Sequence, residues 1–401
     1  MPISRSRYEP TEETHRTTNF EIFFDLVFVF ALTRIVEFMA ETPTAVTMVR
    51  GLILILLLWF SWSAYAWLGN EARADVGLVR TGTLAAMAAL FVAALAIPDA
   101  WQQDRGPLPA ALVLAVAYLA VRVLHISLYL YVSRSPQLTR TLRLSAIPLA
   151  LAWIPFVVGA LLGGTAQTAL WAAAFLIDVG GGRVASGFSP WQLRSVSHFT
   201  ERHRLVIIIA IGESLISIGL GAGAELVTWW VLLAALLGFV VTVCLWRLYF
   251  DRFAPAIEHV VATVPRARRG TIASDAFSLA HLPMIAGILY IALGVEQVLA
   301  VLMHEGSASR SPGLGLPGVV ALYGGGALYL VGRALCLRLT AGRTALPPIA
   351  GAVALVLLIA PARLLPALSA LALLVVALLV QCAVERRSGT LAAPPAVEPA
   401  R

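Results

Sequence analysis

Residues Asn19 to Ala40 read N-F-E-I-F-F-D-L-V-F-V-F-A-L-T-R-I-V-E-F-M-A. As a helix rising about 1.5 Å per residue, this aromatic-rich run is long enough to cross a bilayer. It carries four charges: Glu21 and Asp25 share a face one turn apart, and Arg34 and Glu37 share another nearer the far end. An ionisable group in hydrocarbon costs at least about 2 to 3 kcal/mol, so each of these side chains needs a partner, water or a use.

The rest of the chain fits that reading. Of 401 residues, 59% are hydrophobic and 13% charged, and the mean hydropathy is +0.85. A soluble domain carries roughly a quarter of its residues charged, so this is a polytopic membrane protein. All 29 basic residues are Arg. They are scattered between apolar spans rather than gathered in one basic domain, which excludes a nucleic-acid-binding reading. Cys244, Cys336 and Cys382 fall inside apolar runs at no metal-ligand spacing, so they read as packing residues, with no disulfide framework and no metal site. The polar first 18 residues do not resemble a cleavable signal peptide, and the N-terminus is expected to be kept.

Further apolar runs follow at 50–68, 81–98, 108–132, 142–163 and 166–179, the last ending at a glycine run. A second set lies at 203–221, 226–250, 276–301, 316–339, 346–361 and 364–384. With the first run the sequence predicts twelve transmembrane helices. The N-terminus, the even-numbered connections and the C-terminal tail hold 22 of the 29 Arg residues, and the odd connections hold four, Arg50, Arg105, Arg310 and Arg363. By the positive-inside rule both termini are then cytoplasmic, in the inner membrane of a bacterium. Residues 388–401 are Ala/Pro-rich and read as a disordered tail.

Shifting the chain by 179 residues lays Phe20 over Phe199, Asp25 over Arg204 and Arg34 over Glu213, so charged positions coincide with opposite signs. This suggests two parallel six-helix repeats, 19–182 and 202–387, flanked by a cytoplasmic segment at 1–18 and joined by a cytoplasmic connection at 183–201.

A second dense stretch is E-R-H-R-L-V-I-I-I-A-I-G-E-S, residues 201 to 214. Glu201, Arg202, His203 and Arg204 form a charged entrance to the seventh helix. Glu213, followed by Ser214, lies about 15 Å deeper by helix rise, where it could pair with Arg34 or Arg122 or be protonated. Secondary candidates are Arg122 with His125 at i and i+3 on the fourth helix, and His281 with Glu296 on the ninth. Each has a structural reading beside the functional one. Arg122 is expected to snorkel to the interface, a lone membrane His more often hydrogen-bonds a neighbouring helix, and Trp59, Trp62 and Trp67 read as interface belt and packing. For Glu21, Asp25, Glu201, Arg202 and Arg204 the structural reading is interfacial ion pairing that fixes topology.

The pairing of F-E-I-F-F-D-L-V-F-V-F-A-L-T with E-R-H-R-L-V-I-I-I-A-I-G-E-S, together with H-L-P-M-I-A-G-I at 281–288, resembles the bacterial low temperature requirement protein A (LtrA) family. The resemblance covers residues 16 to 385. It implies a multi-pass bacterial membrane protein named for a cold-growth phenotype. In addition, Phe24-Asp25 at the start of the first helix is similar to the Phe-Ser-Asp signature of endolysosomal and bacterial potassium channels, with Phe here in the place of Ser.

Three functions fit the sequence. The first is a secondary transporter or ion-permeation protein using the acidic and Arg residues of helices one and seven, with an unknown ion or small molecule as substrate. The second is a structural or stress-response membrane protein whose internal charges serve folding. The third is an intramembrane enzyme using buried carboxylates with His125 or His281. No nucleophile, metal cluster, P-loop or cofactor motif stands at recognisable spacing, so neither an enzyme nor a cofactor is expected.

Overall fold

The structure is a computed structural model, and it describes residues 8–102, 108–186, 192–221, 228–305 and 313–388. Among these residues the only β pairing is two isolated bridges, Pro10 with Ala72 and Gly313 with Pro366; everything regular is helical. The chain divides into two compact units at Val206/Ile207, within one helix.

In the first unit the helices are α1 (Asn19–Glu41), α2 (Ala45–Glu71), α3 (Gly77–Ala96), α4 (Ala110–Val132), α5 (Pro136–Leu162), α6 (Gly164–Ser186) and the start of α7 (Val196–Gly221). The second unit takes the rest of α7, then α8 (Trp229–Phe250), α9 (Phe253–Thr263), α10 (Arg266–Ala273) and α11 (His281–Glu305). It closes with α12 (Leu316–Val319), α13 (Gly325–Ala341), α14 (Leu346–Ala362) and α15 (Ala367–Ser388). π-helical turns at Ser274–Leu279 and Val320–Gly324 lead into α11 and α13.

The described part of every apolar run read from the sequence lies largely on a helix. Among the described residues, eight helical segments are both long and apolar enough to cross a membrane: α2, α3, α4, the bulk of α5, α8 with α9, α10 with α11, α12 with α13, and α15. At 17 residues α14 is shorter. α1 and α7 are long enough but carry several charged residues each. The molecule is thus an all-α membrane protein.

Two local features depart from the sequence reading. α6 does not stop at its glycine run but continues through Gly180, Gly181 and Gly182 to Ser186. Mid-helix Gly costs about 1 kcal/mol relative to Ala, yet a Cβ on Gly181 would collide with Pro148 of α5, so the missing side chain is what lets the two helices close. Gly163 and Gly164, both at positive φ (69° and 58°), make the tight turn between them. The segment after α8 forms two further short helices. α9 buries Phe253, Ala254, Ile257 and Val261, one face at helical spacing.

In the second unit α11 and α13 approach to backbone contact. A Cβ on Gly287 would meet the Gly325 carbonyl and the Tyr329 amide, so small residues set the distance between these helices.

Candidate functional site: a buried carboxylate pair on one guanidinium

The site of the first unit starts from a helix cap. Thr18 is the N-cap of α1, and T-N-F-E forms a capping box in which Thr18 Oγ1 accepts the Glu21 amide at 3.3 Å. In return Glu21 Oε2 accepts the Thr18 amide and hydroxyl, both at 3.0 Å. The cap fixes the Glu21 side chain, and helical spacing puts Asp25 on the same face one turn further in.

α7 offers the complementary pair at the same spacing, His198 and Arg202. Glu21 Oε1 accepts from His198 Nε2 at 2.8 Å and Arg202 Nη1 at 2.9 Å. Arg202 Nη2 donates to Asp25 Oδ1 at 2.6 Å, and Trp62 of α2 donates its indole N–H to the same oxygen at 2.7 Å. The guanidinium carbon lies 5.6 Å from the Trp62 ring centre and 6.0 Å from that of Phe24. All of these side chains are buried, Asp25 and His198 completely.

Hydrogen bonds settle the His198 tautomer. The Asn70 side-chain oxygen accepts the Arg194 amide at 2.8 Å, so its nitrogen donates, to the Ser195 carbonyl at 2.7 Å and toward His198 Nδ1 at 3.4 Å. His198 Nδ1 is therefore the acceptor, and Nε2–H faces Glu21. Two carboxyl groups thus share one guanidinium, with His198 as a further donor to Glu21.

The two acids differ in how well they are satisfied. Both Glu21 oxygens are bonded. Asp25 Oδ2 is buried without a hydrogen-bond partner, as is Arg202 Nε. Beside the cluster lies a cavity of about 10 Å³, bordered by Glu21, Phe24, Thr83 and Arg202, enough for roughly one water. The buried Thr83 hydroxyl also has no bonded partner.

The N-terminal segment covers this end of the unit. The Thr11 hydroxyl donates to the Gly69 carbonyl at 2.8 Å, and the Ser195 hydroxyl donates to the Glu13 carbonyl at 2.9 Å. The His15 ring lies 5.2 Å from that of His198. Burial holds the His15 imidazole below its usual pKa, and nearby His198 adds to this. At the neighbouring turn, a hydrogen bond from Arg73 holds the Asp75 carboxyl below its usual range. Ligating atoms of His15, Glu21 and His198 come within 4.8 Å of one another. The donor set does not suit a metal, because Arg202 occupies the Glu21 oxygen and His198 presents a proton to it.

The other candidates stand apart from this cluster. Arg34 pairs with Glu37 within α1, and both are half-buried. Arg122 does not snorkel. It is paired with Asp178 of α6 at 2.9 Å, because a buried acid opposite α4 offers a better partner than the interface. The two arginines considered for Glu213 are thus each held by an acid of their own unit. Glu201 is half-buried and accepts the Thr17 amide at 3.0 Å, and Arg204 is also half-buried. His125 is buried against Tyr65 and Tyr129, with ring centres 5.4 and 5.6 Å away.

In the second unit Glu213 and Ser214 are buried on α7, and the Ser214 hydroxyl has no bonded partner. His281 donates from Nδ1 to the Ala276 carbonyl at 2.9 Å, so its Nε2 accepts the Tyr249 hydroxyl at 2.9 Å, joining α11 to α8. Glu296 is half-buried on α11.

Sequence reasoning missed His198, Trp62 and Asn70. The first had a usable signal, since His198 and Arg202 repeat the four-residue spacing of Glu21 and Asp25. Trp62, read as belt and packing, is instead buried as a donor to Asp25, and nothing in its local sequence distinguishes it from Trp59 or Trp67.

No solved structure matches this chain. It is similar to an uncharacterized protein of Rhizobium meliloti (strain 1021), 29% identical over 310 residues that cover 73% of this chain and 72% of that protein. The pattern of the family described as bacterial low temperature requirement A protein (LtrA) matches residues 16–383, spanning both units and the acids and arginine of the buried cluster, and the chain belongs to that family.

Proposed function

We propose that this LtrA-family protein is a secondary transporter or ion-permeation protein of the bacterial inner membrane, and that the Glu21–Arg202–Asp25 cluster is its proton- or cation-coupled site. The observation that carries this reading is Asp25 Oδ2, a buried carboxyl oxygen with no hydrogen-bond partner among the described residues. A buried carboxyl oxygen left without a partner is costly, and one proton or one monovalent cation bound there removes that cost. Uptake at Asp25 leaves Glu21 and Arg202 balanced, so the site has two states that differ by one positive charge. The water-sized cavity bordered by Thr83 lies next to this site.

On this reading twelve helices cross the bilayer, α1 and α7 included, because their charges are paired internally. The Arg distribution supports cytoplasmic termini. The protein acts as a carrier or pore and not as an enzyme, and its partners are the lipid bilayer and a transported ion or small solute.

A structural role is the second reading, favoured by the full satisfaction of Glu21. The two are separated by reconstituting wild type, Asp25→Asn and Glu213→Gln in liposomes under potassium and proton gradients, after confirming that each is folded. The transport reading expects wild-type flux that folded Asp25→Asn has lost. Silent wild type, together with altered melting of the variants, assigns the charges to folding.

A further inference from the structure

A cavity of about 290 Å³ opens in the second unit where α8 and α15 end, with Arg333 of α13 in its wall. Its volume lies at the lower limit of small-molecule sites, about 300 Å³, which suits a compact polar group better than a drug-sized apolar one. Its lining is ionic. Arg247 and Asp251 pair at 3.2 Å, and Arg333, itself buried, grips Glu385 with two hydrogen bonds of 2.6 and 2.7 Å. These pairs cancel.

Two further arginines border the cavity with no acid. Arg252 donates to the Arg386 backbone carbonyl at 3.2 Å, which brings the two residues together, and among the described residues neither guanidinium is bonded to a carboxylate. The lining therefore carries two uncompensated positive charges. Nε of Arg333 adds a buried donor with no acceptor. Arginine forks of this kind match the oxygens of a phosphate. The cavity's place in the sequence is consistent with this. The C-terminal ends of α8, α13 and α15 border the Arg-rich connections carrying Arg266, Arg268, Arg269, Arg338 and Arg343, where the sequence predicts the cytoplasmic headgroup layer.

We propose that this cavity is a phosphate-binding site, with Arg252 and Arg386 as the residues that hold the anion and Arg333 as a buried third donor. The phosphate comes from an anionic phospholipid headgroup or from a soluble phosphate. The site is independent of the Glu21 cluster and stands whether or not that cluster carries ions.

Cys382 in the lining makes occupancy readable, and fully buried Cys336 serves as a control for unfolding. Full-length protein is placed in phosphatidylcholine nanodiscs, and alkylation of each cysteine by iodoacetamide is followed by peptide mass spectrometry. One arm adds phosphatidylglycerol to the bilayer, and another adds inorganic phosphate to phosphatidylcholine discs. Ligand at about ten times its Kd slows Cys382 alkylation about tenfold. Slowing by phosphatidylglycerol alone identifies the lipid source, and slowing by inorganic phosphate identifies the soluble one. Either protection is lost in the Arg252→Gln/Arg386→Gln variant, with Cys336 still unreactive. Should that variant expose Cys336, Arg386→Gln alone, at an exposed position, must weaken protection several-fold. The proposal is overturned if neither additive slows the reaction, or if protection survives loss of these arginines.

Discussion

Trp62 donates its indole N–H to the Asp25 oxygen that also accepts Arg202, at 2.7 Å, so α2 and α7 meet at a single carboxylate oxygen of α1. Three helices of one unit are thereby tied at one atom. Trp62→Phe keeps an aromatic ring against the guanidinium and removes only the donor. We expect it to cost about 1–3 kcal/mol, the range for leaving a buried charged acceptor short of a hydrogen bond, read as a lower denaturation midpoint in detergent. An unchanged midpoint means that the indole N–H is not holding Asp25.

His15 gives the first unit a pH dependence outside the bilayer. Burial and the neighbouring His198 lower its folded pKa, while Glu21 and Asp75 oppose the shift and Arg73 reinforces it. Between the usual value of 6.5 and the lower folded value the unfolded chain binds the proton and the folded one resists it. This contribution to stability is present above pH 6.5 and declines as the pH falls below it. Thermal melts of wild type and His15→Gln over this range check the sign: the variant should lose less stability on acidification.

The buried pair Arg122 and Asp178 should show the asymmetry of ion pairs in low dielectric. Asp178→Asn leaves a buried guanidinium uncompensated and is expected to destabilise by about 3–5 kcal/mol. Replacing both partners, as Arg122→Met with Asp178→Leu, should recover most of that loss. A double variant as unstable as the single one shows that the pair has a role beyond charge balance.

Gly287 faces the backbone of α13, where no side-chain rotation can relieve a clash. Gly287→Ala should cost about 1–3 kcal/mol by overpacking, whereas Gly182→Ala, with open space around its Cβ position, should be neutral or stabilising. Equal effects would mean that α11 and α13 can separate without loss.

Much of the architecture was legible because it depends on local composition. Apolar runs long enough to cross a bilayer are a one-dimensional signal, and the described part of each lies largely on a helix. The extension of α6 through three glycines was not legible, because Gly181 earns its place only opposite Pro148 of α5. Arg122 was misread for a similar reason, since its partner lies 56 residues away on another helix.

The site divides in the same way. The sequence by itself determined that α1 carries Glu21 and Asp25 on one face and that α7 opens with basic residues, because helical periodicity fixes which side chains share a face. It left the pairing open, with Glu213 able to meet Arg34 or Arg122, and with Glu21, Asp25, Glu201, Arg202 and Arg204 sharing one ion-pairing reading. Only the tertiary structure decided that Arg202 takes both acids, that Trp62 and His198 complete their hydrogen bonds, and that one oxygen of Asp25 is left over. Pairing in a low-dielectric interior depends on contacts of about 3 Å between residues some 180 positions apart, and no local pattern encodes that distance.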